Sequence, residues 1–218
     1  MKTYLKEDFQ GFDDVFRRNF FNTLSGPKPC WLMGTRHENG RPNFGLFSNV
    51  IHVGAQPPDI GILFRPLTVA RHSWDNLHRE EQCALSLVHR AILGGAHQLS
   101  APWDMDTDEA KVSGLAMENW KQSAVIKDSP VQLLCKPVET LTLQWNQTQL
   151  QVLAIEEVRI QEGLVAADGL VDMVAADAIA CLGLDAYLQV MPAARFRYAK
   201  TDRPLSPLEW FKEAESDR

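Results

Sequence analysis

The run from Phe44 to Leu77, FGLFSNVIHVGAQPPDIGILFRPLTVARHSWDNL, constrains the chain more than any other stretch. Phe44 to Val53 mixes apolar and β-branched residues with Ser48, Asn49 and His52, which suits a strand whose polar side chains face something other than core. Gly54 and the pair Pro57-Pro58 break it. Ile60 to Phe64 is an apolar run long enough for one buried strand and too short for an ordinary helix, and it ends at Arg65-Pro66. Thr68 stands where it can cap a helix running towards His78. That helix would hold Arg71, His72 and Ser73 in its first turns, where free backbone N–H groups and the helix dipole favour an anion.

Two arginines, two hydroxyls and a histidine therefore fall within nine residues at a strand-to-helix junction. Arginine presents a planar fork of donors to phosphate oxygens, and Ser or Thr hydroxyls add hydrogen bonds without adding charge. A second reading stands beside this one: Thr68 is a plain N-cap and Arg71 a solvated helix arginine paired with Asp75 one turn on. Spacing alone does not choose between them.

The same string resembles the flavin reductase-like family, in particular members with a run like FSxVxHVGxxPPxxGxxxRPxTVxRHTxxN. Phe47, Ser48, Val50, His52, Val53, Gly54, Pro57, Pro58, Gly61, Arg65, Pro66, Thr68, Val69, Arg71, His72, Ser73 and Asn76 match in register. The resemblance implies a mainly β fold with peripheral helices, an antiparallel Greek-key split β-barrel that binds FMN. It implies that Ser48, Asn49 and Val50 border the isoalloxazine ring, while Arg65, Thr68, Arg71, His72 and Ser73 gather near the ribityl phosphate. Ser73 stands where Thr is commoner and keeps the hydroxyl. DSPVQLLCK resembles the family's xSPVxLxCK strand, and His97-Gln98 matches its HQxSA motif, which makes His97 a neighbour of the ring. Asp177 to Tyr187 sits where the family carries DPxxRLGGxxY; Asp177, Leu182, Gly183 and Tyr187 match, but the arginine falls at Cys181 and the second glycine at Leu184.

Composition narrows the function classes. The 218 residues are 45% hydrophobic and 23% charged, near the averages for a globular protein, and the length suits one domain spanning 1–218. A formal charge of −6 and the lack of any basic run offer no footprint for nucleic acid. No window approaches the ~20 apolar residues of a membrane-spanning helix, and MKTYLKEDFQ is too polar and acidic for a signal peptide. The expectation is a cytoplasmic protein. Cys30, Cys83, Cys135 and Cys181 are scattered, with no spacing that reads as a metal site or redox dithiol, and are expected as buried reduced thiols.

Along the chain, Phe9 to Leu24 carries a partial helical stripe rich in phenylalanine, which suits an amphipathic helix that packs on the body or on a second subunit. Gly26-Pro27-Lys28-Pro29 stops it. Cys30 to Arg36 reads as a strand turned by Asn39-Gly40 into the Phe44 strand. Gln82 to His89 reads as a strand with Cys83, Leu85 and Leu87 towards the core. Ala91 to Ser100 contains Gly94-Gly95 and is a poor helix on its residues, although the family resemblance implies a short helical segment here. Residues 101–119 read as a lid-like insertion with a helix at Thr107 to Ser113, Asp106 and Glu109 at capping-box spacing, and Trp103 as a lid residue. Val131 to Pro137 and Glu139 to Trp145 read as strands turned by Asn146-Gln147-Thr148 into Gln149 to Ile160, with a further turn at Asp168-Gly169. The tail is expected to end in a helix near Glu209 to Glu213.

No G-x-S-x-G, H-E-x-x-H or paired-carboxylate motif is present, as fits a protein whose cofactor carries the chemistry. Nor is there a G-x-G-x-x-G for NAD(P)H; family reductases stack the nicotinamide on the flavin and need none. The resemblance thus implies an NAD(P)H-dependent flavin reductase that passes hydride to FMN and on to free flavin or a partner, in a homodimer. The alternative is an FMN electron carrier without nicotinamide activity. A pyridoxamine phosphate oxidase relative is a further reading, disfavoured because the Arg65 to Asn76 run matches the reductase subset better, and a barrel that has lost its cofactor is another, disfavoured by Arg65, Arg71 and Ser73. No metal ligands are expected.

Overall fold

Seven antiparallel strands form the main sheet, and the two at its edges are neighbours in sequence. The computed structural model describes residues 1–211. A 3-10 turn (Asp8–Gly11) and α1 (Asp14–Thr23) lead into β1 (Lys28–Pro29), β2 (Trp31–Arg36), β3 (Pro42–Phe47), β4 (Val50–Ala55) and β5 (Pro58–Phe64). Then come α2 (His72–Glu80), β6 (Cys83–Leu87), α3 (Leu93–Gln98) and α4 (Glu109–Ser113). The remainder is β7 (Met117–Trp120), β8 (Ser123–Ile126), β9 (Val131–Leu143), β10 (Thr148–Ile160), β11 (Ile179–Leu182), β12 (Ala186–Gln189), β13 (Arg195–Phe196) and β14 (Pro207–Leu208).

The main sheet runs β3-β2-β6-β9-β10-β5-β4. The Asn39-Gly40 turn builds the β2–β3 hairpin as its residues demand: Gly40 takes φ +81°, open to glycine, and Thr35 faces Asn43 across the ladder. Phe44 to Val53 is not one strand. It breaks at Ser48-Asn49, and the two halves lie on opposite edges, β3 on β2 and β4 on β5. Two residues thus span from one edge of the sheet to the other, which the sheet allows only by curling. The Asn49 carbonyl accepts from Leu63 N–H at 3.2 Å, so β5 grips the crossing point. No ladder joins β3 to β4 among the described residues, so the sheet is mainly β as expected but is not closed by hydrogen bonds along that seam.

Alternate residues of β2, β5, β6 and β10 fill the principal core, with Met33, Ile62, Leu85 and Leu153 fully buried. β6 corrects its expected one-sided pattern. Cys83, Leu85 and Leu87 face this core, but Ala84 packs under Trp120 and Val125 of the β7–β8 hairpin, so both faces are covered. β9 and β10 form the expected hairpin, although β9 is continuous. Its ladder skips Val138 between Pro137 and Glu139, a bulge beside the one residue that has no N–H to give.

The helices depart more from expectation. Residues 9–24 are not one helix: Asp13 accepts from Phe16 N–H at 2.9 Å and starts α1 afresh, while the preceding turn is 3-10. α2 begins at His72 with Arg71 as its N-cap residue, and Thr68 caps nothing. Gly94-Gly95 does not prevent α3. A Cβ on Gly95 would meet Ser113 O at 2.6 Å, so that glycine lets α3 approach the end of α4, and packing offsets its poor propensity. α4 is capped by Asp108, which accepts from Lys111 N–H, and not by Asp106. At the tail, Arg195–Phe196 pairs with Pro207–Leu208 and Glu209 to Phe211 is not helical; the rest of the expected terminal helix lies outside the described residues.

Candidate functional site

The place where the sheet edges meet opens into a cavity of about 580 Å³, within the ~300–1,000 Å³ of small-molecule and cofactor sites. One wall is β3 and the Ser48-Asn49 crossing. The end of β5 through Arg65 and the segment Ala70 to Ser73 make the second. The third is the stretch from Leu99 to Asp104 with Glu109, and Cys181 of β11 with Gly183 and Leu184 of the following turn adds a fourth side.

A buried polar network fixes the second wall. Asn43 Nδ2 donates to Ser73 Oγ at 3.0 Å and to Thr35 Oγ1 at 2.9 Å, and Asn76 Nδ2 donates to the same threonine at 3.2 Å. Arg79 donates to Asn76 Oδ1 at 3.0 Å. Two residues one turn apart on α2 are thus held to two strands. Such satisfied networks specify one arrangement, because a displaced member leaves buried polar groups unpaired. Gly45 lies beside this anchor, with space for a Cβ only 3.1 Å from Ser73 Oγ.

The network aims the start of α2 into the cavity. Its first N–H groups have no acceptor within the helix, and Arg71 and Arg65 stand around them. Arg71 forms no ion pair among the described residues, and its Nε is buried without a hydrogen-bond partner, so the reading of Arg71 paired with Asp75 does not hold. A buried guanidinium N–H left unpaired is costly unless something accepts from it. A phosphate monoester supplies that acceptor and the matching charge. His72 lies nearby, its ring centroid 5.0 Å from that of His37. Burial, with the nearby His72 and Arg79, lowers the pKa of His37.

The opposite wall is different in kind. Trp103 Nε1 donates to Gln98 O at 2.9 Å, which holds the indole at the cavity. Glu109 is buried, with Oε2 accepting from Phe44 N–H at 2.7 Å. That bond caps the free edge of β3 and fastens α4 to it. Burial pushes the Glu109 carboxyl up to about 7, against the smaller opposite pull of the Phe44 N–H. The cavity is therefore cationic at the α2 end and carries a neutralisable carboxyl at the other.

Of the residues expected at the site, Ser48, Asn49, Arg65, Arg71, His72 and Ser73 line this one cavity. Val50 instead opens β4 and packs on the principal core. Thr68 is exposed in the loop before α2, and His97 turns away to bond Tyr187 Oη at 2.8 Å. Asn43, Glu109 and Cys181 were not expected there. The Asn43 and Glu109 roles depend on partners 30 and 65 residues away, a distance no local pattern records. Among the described residues no cluster of His, Cys, Asp or Glu could hold a metal ion, and no helix is long and apolar enough to cross a membrane.

The family model for the flavin reductase like domain matches residues 24–174, which covers every cavity wall except the β11–β12 turn. The fold is also that of solved structures. A split barrel domain protein from Shewanella frigidimarina NCIMB 400, assigned as a flavin reductase, is 33% identical, with a TM-score of 0.86 over 91% of this chain and 100% of that one. The 2-nitrobenzoate 2-nitroreductase of Pseudomonas fluorescens gives 18% identity and 0.76 over 93% and 98%. Flavoredoxin of Desulfovibrio vulgaris (Miyazaki F) gives 21% and 0.69 over 93% and 98%. These two share the fold alone. No curated protein matches the sequence.

Proposed function

Because the chain belongs to the flavin reductase-like family, we propose that it is an FMN-binding, NAD(P)H-dependent oxidoreductase, a split barrel acting as one unit over residues 1–218. The observation that carries this reading is the buried, unpartnered Arg71 Nε beside the start of α2. A charged donor kept out of water at a helix N-terminus is a receptor for a dianion.

FMN, when bound, supplies the hydride chemistry itself. The chain's part is to bind and orient. Arg71, Arg65, Ser73 and the first N–H groups of α2 hold the phosphate. Ser48 and Asn49 border the ring at the point where the sheet edges meet. Trp103 and the Leu99 to Asp104 segment exclude water from the open side, which strengthens every polar contact within. The carboxyl of Glu109 stays protonated to near neutral pH and keeps negative charge away from an electron-rich ring.

The electron acceptor is free flavin or a partner protein. A homodimer suits the surface. α1 buries no residue, and Phe16, Phe21 and Leu24 stay exposed beside a ring cluster of Tyr4, Phe9, Phe12 and Phe20. The proposed setting of the activity is the cytoplasm. Anaerobic mixing of FMN-loaded protein with NADH or NADPH tests the reading: rapid bleaching of the flavin band supports the reductase, and an unchanged band with both leaves the electron carrier.

A further inference from the structure

The four cysteines, far apart in sequence, come together as two pairs of free thiols. Cys83 stands directly opposite Cys135 in the β6–β9 ladder, and both are fully buried. Neither lines the cavity beside α2. Cys30 and Cys181 meet differently. β1 pairs with β11 so that Lys28 lies opposite Cys181 and Pro29 opposite Ala180. Cys30, two residues beyond Lys28, projects on the same face as Cys181, and both side chains belong to one core cluster. Cys181 alone of the four lines the cavity. It also stands where the family resemblance has an arginine, so a thiol replaces a cation in this wall.

We propose that Cys181 and Cys30 form a reactive dithiol, in which Cys181 attacks a small-molecule disulfide entering the cavity and Cys30 resolves the product into an internal disulfide. In the first step the Cys181 thiolate bonds to one sulfur of the reagent, whose S–S bond breaks and releases one thiolate. In the second, Cys30 gives up its proton and displaces the remaining half, which leaves as a thiol. Two protein thiols are oxidised and one disulfide is reduced to two thiols.

The order of attack follows from the surroundings. Cys30 is fully buried, and the hydrogen bond to Cys181 together with burial pushes its thiol up. The same hydrogen bond, helped by the Lys28 ammonium, brings Cys181 down despite its own burial, and Cys181 is the one of the two that lines the cavity, so it meets an entering reagent first. Diagonal neighbours across an antiparallel pair lie roughly 7–8 Å apart between Cα atoms, slightly beyond the ~4.4–6.8 Å of a disulfide. Closing the bond therefore asks for a small approach of β1, a strand of only two residues. The inference requires nothing of the flavin reading and stands on the cavity and the cysteine pair.

Treating the folded full-length protein with excess bis(2-hydroxyethyl) disulfide and mapping the peptides without reduction tests it. The expected result is the loss of two of the four thiols as a Cys30–Cys181 disulfide, with Cys83 and Cys135 still free. Cys30→Ser is expected to accumulate one mixed disulfide at Cys181, and Cys181→Ser to leave Cys30 unmodified. Retention of all four thiols in the wild-type protein overturns the proposal. So does loss of Cys83 and Cys135 at the same rate, which marks general opening of the fold, or modification of Cys30 in Cys181→Ser. The wild-type map is decisive even where a variant does not fold.

Discussion

The side-chain amide of Asn43 donates to the hydroxyl of Ser73 at 3.0 Å, joining the second residue of β3 to the second residue of α2. The strand that runs on to the Ser48-Asn49 crossing and the helix that offers its N-terminus are thereby one rigid piece. The Ser48-Asn49 end and the α2 end of the cavity are held at a fixed separation before any ligand arrives, which is how preorganisation saves binding energy.

Asn43→Ala removes that tie and also the 2.9 Å bond to Thr35. Loss of partners in a buried network costs about 1–3 kcal/mol. The variant is expected to unfold at lower urea concentration with an unchanged m-value, whereas Arg65→Ala, which alters charge and leaves the anchor intact, is expected to weaken FMN binding without lowering the urea midpoint. A wild-type urea midpoint in Asn43→Ala would show that the network contributes nothing to stability.

Glu109 gives a pH dependence of definite sign. Its carboxyl rises from an ordinary 4.5 to about 7 in the fold, so between those values the folded protein holds a proton that the unfolded chain has released. The contribution of this group to stability is therefore fullest below about 4.5 and declines as pH rises towards 7, by a few kcal/mol at the ~1.4 kcal/mol per pKa unit that linkage sets. Glu109→Gln keeps an oxygen for the Phe44 N–H and has no proton to lose. Urea denaturation across pH 4 to 8 is expected to show a decline in the wild-type protein that is absent from the glutamine variant. Parallel curves would mean that the carboxyl ionises as it does in water.

Gly94 and Gly95 are adjacent in α3 yet are predicted to respond oppositely to alanine. A Cβ on Gly94 meets nothing within 4 Å, and alanine there gains about 0.5–1 kcal/mol of helix propensity. At Gly95 it would meet Leu115 Cγ and the Ser113 carbonyl at 2.6 Å, and overpacking of this kind costs about 1–3 kcal/mol. Thermal melts are expected to move up for Gly94→Ala and down for Gly95→Ala. A shift of the same sign in both would dispose of the close contact between α3 and the end of α4.

Much of the β framework was legible because its signals are local. Asn39-Gly40, Asn146-Gln147-Thr148 and Asp168-Gly169 each form the turn that their residues encode, and Ile60 to Phe64 lies within β5. The break at Ser48-Asn49 was not legible. Either half reads as strand, and only the pairing of β3 with β2 and of β4 with β5 separates them. The helix starts were misread for a related reason. Asp13 and Asp108 are ordinary capping residues, but a phenylalanine stripe and a capping-box spacing drew attention to other positions. At the site, the residues of the Arg65 to Ser73 run came together apart from Thr68, since a strand-to-helix junction is a local object. Glu109, Asn43 and the Cys30–Cys181 pair each depend on long-range packing.

The claim on which the rest depends is that Arg71 and the start of α2 receive a phosphate. Titration of the purified apoprotein with FMN and with riboflavin, which differ by that group alone, tests it most directly. Charge-assisted hydrogen bonds contribute about 1.5–3 kcal/mol each, so FMN is expected to bind at least about tenfold more tightly than riboflavin. Arg71→Ala is expected to lose most of that difference by weakening FMN about 10- to 100-fold while leaving riboflavin unchanged. Equal affinity for the two flavins in the wild-type protein would contradict the account.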